Sequence, residues 1–273
     1  MSVEPKPFDY IHEMVIADGN AVRGGPPTVQ ATHVVRRERH GSSSPVIVET
    51  AHGLWFTKLR GAAQGPSALI AELIVAELAD TLSLAVPRRA FVELPLHVTS
   101  ADVSDELRDL LNASVGINVG FELLETARNL TPTEYERVPL EVAASVLWLD
   151  MLVQNLDRSP ANPNIMIRRG TYWLIDHGAA LPFQHDWSAV REDSAHRPYN
   201  IVGHVFGWAA PVLSWAHEML APRCSRQTID EAVAVVPDDY LNVFGGDVVQ
   251  RRAMYAAFLW KRLQWMADAF VSR

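Results

Sequence analysis

The chain contains only one cysteine, Cys224, so it cannot form an intramolecular disulfide and has no cysteine pair for a metal site. We predict that Cys224 is a small buried hydrophobic residue. No apolar run reaches the ~20 residues that a membrane helix requires. The stretch at residues 68–79 is too short and carries Glu72 and Glu77. The N-terminus also lacks the basic and then apolar pattern of a secretory signal. We therefore expect a soluble, cytoplasmic protein without a membrane partner.

An excess of positive charge is also missing. The chain has 24 Lys and Arg residues against 32 Asp and Glu residues, which gives a formal net charge of -8. Nucleic-acid-binding domains usually have the opposite balance. The composition therefore argues against nucleic acid as a partner, and we interpret the basic stretch at residues 36–40 as a solvated surface.

Neither of the common glycine-rich phosphate-binding motifs, GxGxxG and GxxxxGK[ST], occurs in the chain. The nearest substitute is a turn of small residues, Gly41, Ser42, Ser43 and Ser44, followed by Pro45. Its backbone N–H groups and hydroxyls are suited to close over phosphates. Serine-rich hairpins are common, so an ordinary turn is an equally good interpretation.

Apolar periodicity predicts an α+β protein with a strand-rich N-terminal part and a helix-rich C-terminal part. The predicted strands lie at residues 31–35, 45–49, 54–59, 89–94 and 118–124, the first three as an antiparallel meander. The predicted helices lie at residues 67–82 with Ser67 as N-cap, 102–111, 140–154, 211–220, 228–235 and 247–270. We divide the chain into an irregular lead-in (1–30), an N-terminal lobe (31–125) and a C-terminal lobe (126–273), with a cleft between the lobes.

Two acidic residues and two amides lie at the ends of a predicted β-hairpin. Asp157 follows a predicted helix and precedes the first strand of the hairpin, and Asp176 follows the second. Asn162 and Asn164 lie between Asp157 and that first strand. A carboxylate such as Asp157 can orient a hydroxyl and accept its proton, and a second carboxylate with an amide oxygen suits Mg²⁺. Taken singly, each acid also fits an ordinary surface turn, but together they predict a phosphoryl-transfer site.

Lys58 lies within the apolar segment at residues 54–59, on the same strand face as Leu54 and Phe56. A buried lysine needs a charged partner or a bound anion, and the predicted helix at residues 67–82 offers acidic side chains for that role. Given the hairpin downstream, we favour contact with phosphates over a lysine that reaches solvent from an edge strand.

These segments resemble the HipA-like kinases, a branch of the protein-kinase-like fold that also includes the phosphatidylinositol kinases. The resemblance covers roughly residues 30–185, and its most specific part is the pair of motifs that contain Asp157 and Asp176. It implies a two-lobed protein-kinase-like fold, with an antiparallel β-rich N-lobe that carries one helix and a helical C-lobe. It also implies an ATP- and Mg²⁺-dependent phosphotransferase.

The resemblance further implies roles for individual residues. Lys58 would contact the α- and β-phosphates and pair with Glu72, Asp157 would be the catalytic base, and Asp176 would be the principal metal ligand. The segment at residues 120–124 would link the lobes and hold adenine through backbone groups, with three residues assigned to the nucleotide: Glu122, Leu123 and Leu124.

The second metal ligand is open between two residues. The usual spacing in this fold, five residues after the catalytic Asp, selects Asn162. Asn164 directly precedes the apolar strand and would be presented next to Asp176, so geometry favours Asn164. The acceptor is a hydroxyl on a protein or a small molecule. The alternatives are a nucleotide-binding pseudokinase, or a regulatory or partner-binding protein without turnover.

Overall fold

The computed structural model describes residues 25–38, 44–101, 104–243 and 245–271. The N-terminal part is rich in strands, as predicted. It contains β1 (Thr28–Arg37), β2 (Val46–Thr50), β3 (Gly53–Lys58), helix α1 (Gly65–Thr81), β4 (Arg89–Leu94), β5 (Thr99–Ser100), helix α2 (Asp105–Ala113) and β6 (Gly116–Glu122).

The sheet of this part closes on itself. The pairs β1–β2, β2–β3, β3–β6 and β6–β4 are antiparallel, and β4 returns to β1 in a parallel pair that joins Phe91–Glu93 to Thr28–Gln30. The two-residue β5 also pairs in parallel with β1. The N-terminal sheet is therefore antiparallel except in these two pairs, and this part carries two helices, α1 and α2, where the resemblance implied one. Closure into a five-stranded barrel leaves fewer unpaired backbone groups at the sheet edges.

Gly120 has a packing role inside this barrel. A Cβ at this position would lie 2.5 Å from Val92 Cγ2 and 3.3 Å from the Trp55 Cβ. Only glycine therefore lets β6 approach its two neighbours, β3 and β4, this closely.

Helix α1 begins two residues before the predicted N-cap. Gly65 takes a left-handed conformation (φ 58°), Pro66 lies in the first turn, and Ser67 is buried inside the helix. Proline suits the first turn because the first N–H groups have no helical acceptor. Almost every side chain from Ser67 to Ala79 is buried, so α1 is surrounded by protein on all sides.

The C-terminal part is mainly helical. Its elements are β7 (Arg128–Asn129), α3 (Leu140–Val153), β8 (Ile165–Arg168), β9 (Thr171–Leu174), α4 (Leu213–Leu220), α5 (Arg226–Ala234), α6 (Asp238–Asn242) and α7 (Val248–Val271). The predicted hairpin is present as β8 and β9, and β7 adds a third strand. Short 3-10 turns fill most of residues 182–212.

Two groups of buried apolar side chains form the core. The smaller group lies inside the barrel and against α2. The larger group contains α1 together with α3, α5 and α7, so a helix of the N-terminal part shares its core with the C-terminal helices. Cys224 is fully buried in this larger group, as predicted. Within the described residues, no helix is both long and apolar enough to cross a membrane.

Candidate functional site

Lys58 connects three segments that are distant in sequence. Its Nζ atom donates a hydrogen bond to Glu72 Oε1 of α1 and another, 2.6 Å long, to Asp176 Oδ1 after β9. The side chains of Lys58 and Glu72 are buried, whereas that of Asp176 is 44% exposed. Leu54, expected on the same buried face, is 42% exposed. The strand face of Lys58 is therefore not uniformly buried, and the partners of the buried ammonium are the two carboxylates.

Lys58 and Asp176 stabilise each other's charge, whereas burial raises the pKa of Glu72 above its ordinary value. Burial by itself would lower the pKa of the Lys58 ammonium, but Glu72 and Asp176 outweigh burial and raise that pKa. Burial would raise the pKa of Asp176, but the charge of Lys58 holds that pKa below its ordinary value. Lys58 therefore stays cationic and Asp176 stays anionic at neutral pH.

Asp157 lies in the loop between α3 and β8, residues 155–164, which we call the Asp157 loop. The Asp157 Oδ2 atom accepts a hydrogen bond from Asn162 Nδ2 at 2.8 Å and another from Asn164 Nδ2 at 3.1 Å. The loop therefore brings both candidate amides to the same carboxylate. Among the described residues, nothing donates to Asp157 Oδ1 or to either amide oxygen, so the carboxylate oxygen can accept a proton and the amide oxygens can bind a cation.

Asp176 opens the segment that follows β9, residues 176–197, which we call the Asp176 segment. Asp176 takes a left-handed conformation (φ 56°), and Asn164 does the same (φ 48°). The Ile175 N–H donates to the Asn164 carbonyl at 3.1 Å, which joins the two ends of the hairpin. A Cβ on Gly178 would lie 3.3 Å from Ala68 and 3.4 Å from Glu72, so the segment runs close against α1.

A buried network of polar side chains holds the Asp157 loop against helix α3. Asp150 of α3 accepts hydrogen bonds from Arg158 (2.6 Å), His204 (2.9 Å) and Asn155 (3.1 Å). Arg158 also donates to the carbonyl of Asn164 at 2.6 Å. Sequence reasoning assigned no role to Asp150 or His204. A charged residue in the apolar helix α3 was a usable signal, but His204 lies 54 residues from its partner.

Two histidines lie near the site, and one of them, His177, is held in the neutral form. Burial, with the nearby Arg158 cation, lowers the pKa of His177 to about 3. His204 Nδ1 accepts a hydrogen bond from the Phe206 N–H, so its Nε2 carries the proton that is donated to Asp150. The low pKa makes the His177 ring a poor base at neutral pH, and both ring nitrogens of His204 are already hydrogen-bonded.

Of the remaining residues predicted to contact the nucleotide, only some lie in the described part of the chain. Glu122 ends β6, and its carboxylate pairs with Arg88 at 2.7 Å. Leu123 and Leu124 follow the strand, and their N–H groups donate to no described residue. Gly41, Ser42 and Ser43 lie outside the described residues. Ser44 has a left-handed backbone (φ 44°) and accepts a hydrogen bond from Arg37 at 3.0 Å.

The donor atoms near Asp176 fit magnesium. Mg²⁺ prefers oxygen ligands and is usually bound by one or two carboxylates together with substrate phosphates and water. The site offers the Asp176 carboxylate and the amide oxygens of Asn162 and Asn164. The described residues contain no group of three or more His, Cys, Asp or Glu side chains that could hold a metal without such help. Asp176 and one amide are thus the residues that would hold the ion.

Comparison with known proteins identifies similar chains. The family model described as HipA-like kinase matches residues 31–242. No curated protein matches the chain. Among the solved structures that match is the crystal structure of a proinflammatory kinase from Helicobacter pylori, CtkA, with a TM-score of 0.55 and 12% sequence identity. The match covers 90% of this chain and 98% of that one, so the likeness extends over the whole fold.

Proposed function

Because the chain belongs to the HipA-like kinase family, we propose that it is an ATP- and Mg²⁺-dependent phosphotransferase that moves the γ-phosphoryl group of ATP to a hydroxyl. The observation that carries this proposal is the convergence of Lys58, Glu72 and Asp176, which brings a buried cation beside an ionised, half-exposed carboxylate. Asp157 with its two amides provides the second half of the site.

Lys58 is the residue that binds phosphate. It is buried and cationic, and Glu72 holds its ammonium group at the end of β3. An incoming phosphate oxygen can take over the hydrogen bond that Asp176 accepts in this structure, while the pair with Glu72 remains. Asp176 then becomes free to bind the cation that accompanies the nucleotide.

Asp157 is the residue that receives the proton of the acceptor hydroxyl. One of its oxygens is fixed by two amide N–H groups, which orients the other oxygen toward an incoming group. Such positioning supplies much of the rate enhancement in phosphoryl transfer, because the transition state needs little covalent help from the protein.

Asn164 is our choice for the second metal ligand. It is half-buried at the start of β8, and its carbonyl is held by Arg158 and by the Ile175 N–H beside Asp176. Asn162 is exposed, its backbone pairs with Ser159 of the same loop, and its side chain hydrogen-bonds only to Asp157 among the described residues. Asn162 therefore positions Asp157. When bound, Mg²⁺ neutralises the charge of the phosphates and aligns them for transfer.

The segment after β6 completes the nucleotide site. The N–H groups of Leu123 and Leu124 are available to adenine, and Glu122 is fixed beside them through Arg88. The turn that contains Gly41, Ser42, Ser43 and Ser44 is proposed to cover the phosphates. The acceptor is a protein or a small molecule that carries a hydroxyl, and the reaction takes place in the cytoplasm.

The test separates nucleotide binding from chemistry. Calorimetric titration with a non-hydrolysable ATP analogue and Mg²⁺ should give saturable binding to the parent, and binding at least tenfold weaker to Asp176→Asn. Asp157→Ala should bind the analogue as the parent does, yet form ADP from ATP at least a hundredfold more slowly.

Two outcomes contradict parts of this proposal. If the parent binds no Mg²⁺–nucleotide, the kinase assignment is wrong and a partner-binding protein is the better description. If Asp157→Ala forms ADP as fast as the parent does, Asp157 is not the base. Nucleotide binding without any ADP formation in the parent would identify a pseudokinase.

A further inference from the structure

The segment at residues 199–205, which we call the Tyr199 segment, lies against the Asp157 loop. The Tyr199 hydroxyl donates a hydrogen bond to the carbonyl of Asn155, the first residue of that loop. No other described residue donates to this carbonyl, and Asn155 is fully buried. Because a buried carbonyl without a donor costs free energy, Tyr199 supplies a partner that this carbonyl needs.

Asn155 in turn fixes the backbone of Asp157. Its side-chain carbonyl accepts a hydrogen bond from the Asp157 N–H at 3.2 Å, and its side-chain amide donates to the Asp150 carboxylate at 3.1 Å. Its own N–H donates to the Asp150 carbonyl at 2.9 Å. With the bond from Tyr199, all four polar groups of Asn155 are engaged, so this residue has one fixed orientation two positions before Asp157.

The Tyr199 segment also holds the other side of Asp157. The Val205 N–H donates to the carbonyl of Arg158, the residue after Asp157, at 3.1 Å. One residue earlier in the segment, His204 bonds to Asp150, the same carboxylate that Arg158 contacts. Carbonyls before and after the proposed base thus accept hydrogen bonds from one short segment.

Two observations suit Tyr199 to hold the loop. Burial, with the nearby Asp150 carboxylate, raises the pKa of Tyr199 above its ordinary value, so its hydroxyl keeps its proton and donates at neutral pH. The chain just before Tyr199 is also anchored, because the fully buried Arg262 of α7 donates to the carbonyls of Ala195 and Arg197. The hydroxyl therefore reaches Asn155 from a fixed backbone.

We infer that Tyr199 is a positioning residue for Asp157, because its hydroxyl holds the Asn155 carbonyl and so keeps the base in place. The inference rests on the proposed phosphotransfer, in which Asp157 accepts the proton. A general base must lie within hydrogen-bond reach of the group that it deprotonates, and a displacement of about 1 Å can lower a rate ~100-fold. Loss of the Tyr199 hydroxyl should therefore slow transfer without weakening nucleotide binding.

The first test compares Tyr199→Phe with Tyr240→Phe. Each variant keeps its ring and loses one hydrogen bond from a tyrosine hydroxyl to a backbone carbonyl, which for Tyr240 is that of Ile117 in β6 at 2.9 Å. Tyr199→Phe should lower kcat for ADP formation by about tenfold or more, with the parental affinity for the non-hydrolysable ATP analogue and Mg²⁺. Tyr240→Phe should keep the parental kcat. A parental kcat in Tyr199→Phe, or an equal loss in Tyr240→Phe, would overturn the inference.

A double-variant cycle tests whether Tyr199 acts through Asp157. In an Asp157→Ala background the base is absent, so Tyr199→Phe should change the residual rate of ADP formation by less than about twofold. A further loss as large as that in the parent would show that Tyr199 acts by another route, and the positioning role would be wrong.

Hydrogen exchange measures the hold on the loop without any turnover. In the nucleotide-free protein, peptides that cover residues 155–159 should exchange about fivefold or more faster in Tyr199→Phe than in the parent, and at the parental rate in Tyr240→Phe. Unchanged exchange in Tyr199→Phe would also overturn the inference. If the parent forms no ADP, the proposed function is wrong, whereas the exchange comparison still decides whether Tyr199 holds the loop.

Discussion

Asn162 and Asn164 make the same contact with Asp157, and the backbone of each is held by hydrogen bonds, that of Asn162 by Ser159 of the same loop. The backbone of Asn164 is fixed by two hydrogen bonds, one from Arg158 and one from Ile175. The exposed Asn162 side chain bonds only to Asp157 among the described residues. Asn164 is the more buried of the two, and its carbonyl accepts from Ile175 directly beside Asp176, so its direction is fixed relative to the other proposed ligand.

We therefore predict different effects for the two alanine variants. Asn164→Ala should raise the Mg²⁺ concentration for half-maximal ADP formation by about tenfold or more, because a ligand is lost. Asn162→Ala should lower the maximal rate and leave the Mg²⁺ dependence unchanged. Initial rates measured over a range of Mg²⁺ concentrations will show which is correct, and the reversed pattern would make Asn162 the ligand.

Cys224 allows a prediction about pH. Burial raises the pKa of its thiol to about 12 from an ordinary value of 9. Between these values the unfolded chain releases a proton that the folded chain keeps, so the free energy of unfolding falls as pH rises above 9. The slope from this one group is at most about 1.4 kcal/mol per pH unit.

Cys224→Ala is the matched comparison for this effect. In urea titrations between pH 8.5 and 10.5, the parent should lose stability more steeply than the variant. The native thiol should also react with a thiol reagent at pH 8 about a thousandfold more slowly than the unfolded chain, given the difference of three pKa units. Rapid labelling of the native protein would show that Cys224 is accessible, contrary to the structure.

At the scale of elements, the Asp157 loop depends on a buried ion pair. Arg158 and Asp150 are both fully buried, and Arg158 also holds the carbonyls of Pro163 and Asn164. Removing one partner of a buried pair leaves a charge and several polar groups without compensation. Arg158→Met should therefore destabilise the protein by about 3–5 kcal/mol.

A surface pair provides the control. Arg226 and Asp230 of α5 form an exposed pair at 3.1 Å, and Arg226→Met should cost less than about 1 kcal/mol. Urea unfolding monitored by circular dichroism measures both changes. If the Arg158 variant were as stable as the Arg226 variant, the network beneath the loop would not be what holds the loop in place.

Most of the longer elements were predictable from sequence because each has a local signal, whereas the short β5, β7 and α6 were not predicted. Strand β4 matches its predicted bounds, and α3 ends one residue before its predicted end, because apolar periodicity marks both. The parallel return of β4 to β1 has no local signal, since it depends on how the barrel closes. The residues of the site divide in the same way, into those with a local sequence signal and those placed by tertiary packing. The hairpin motif indicated Asp157 and Asp176, whereas His204 reaches Asp150 only through tertiary packing.

At the scale of the whole molecule, the N-terminal and C-terminal parts do not have separate cores. In the sequence, helix α1 lies between strands β3 and β4 of the N-terminal sheet. Its side chains nevertheless belong to the core group of α3, α5 and α7. Two hydrogen bonds reinforce the connection, one from Arg223 to the Leu82 carbonyl and one from Tyr240 to the Ile117 carbonyl. The lobe boundary near residue 125 remains a prediction, but the shared core implies that the two parts stabilise each other.

This shared core leads to a prediction about unfolding. We expect one cooperative transition, with a calorimetric enthalpy equal to the van't Hoff enthalpy. Leu73 of α1 is fully buried in the shared group, so Leu73→Ala should cost about 2–5 kcal/mol and shift the whole transition without splitting it. Leu54→Ala, at a leucine that is 42% exposed on β3, is the control and should shift it far less. Differential scanning calorimetry provides the measurement. Two resolved transitions in the parent would mean that α1 unfolds with the barrel alone, and that the charged cluster at Lys58 joins two independent units.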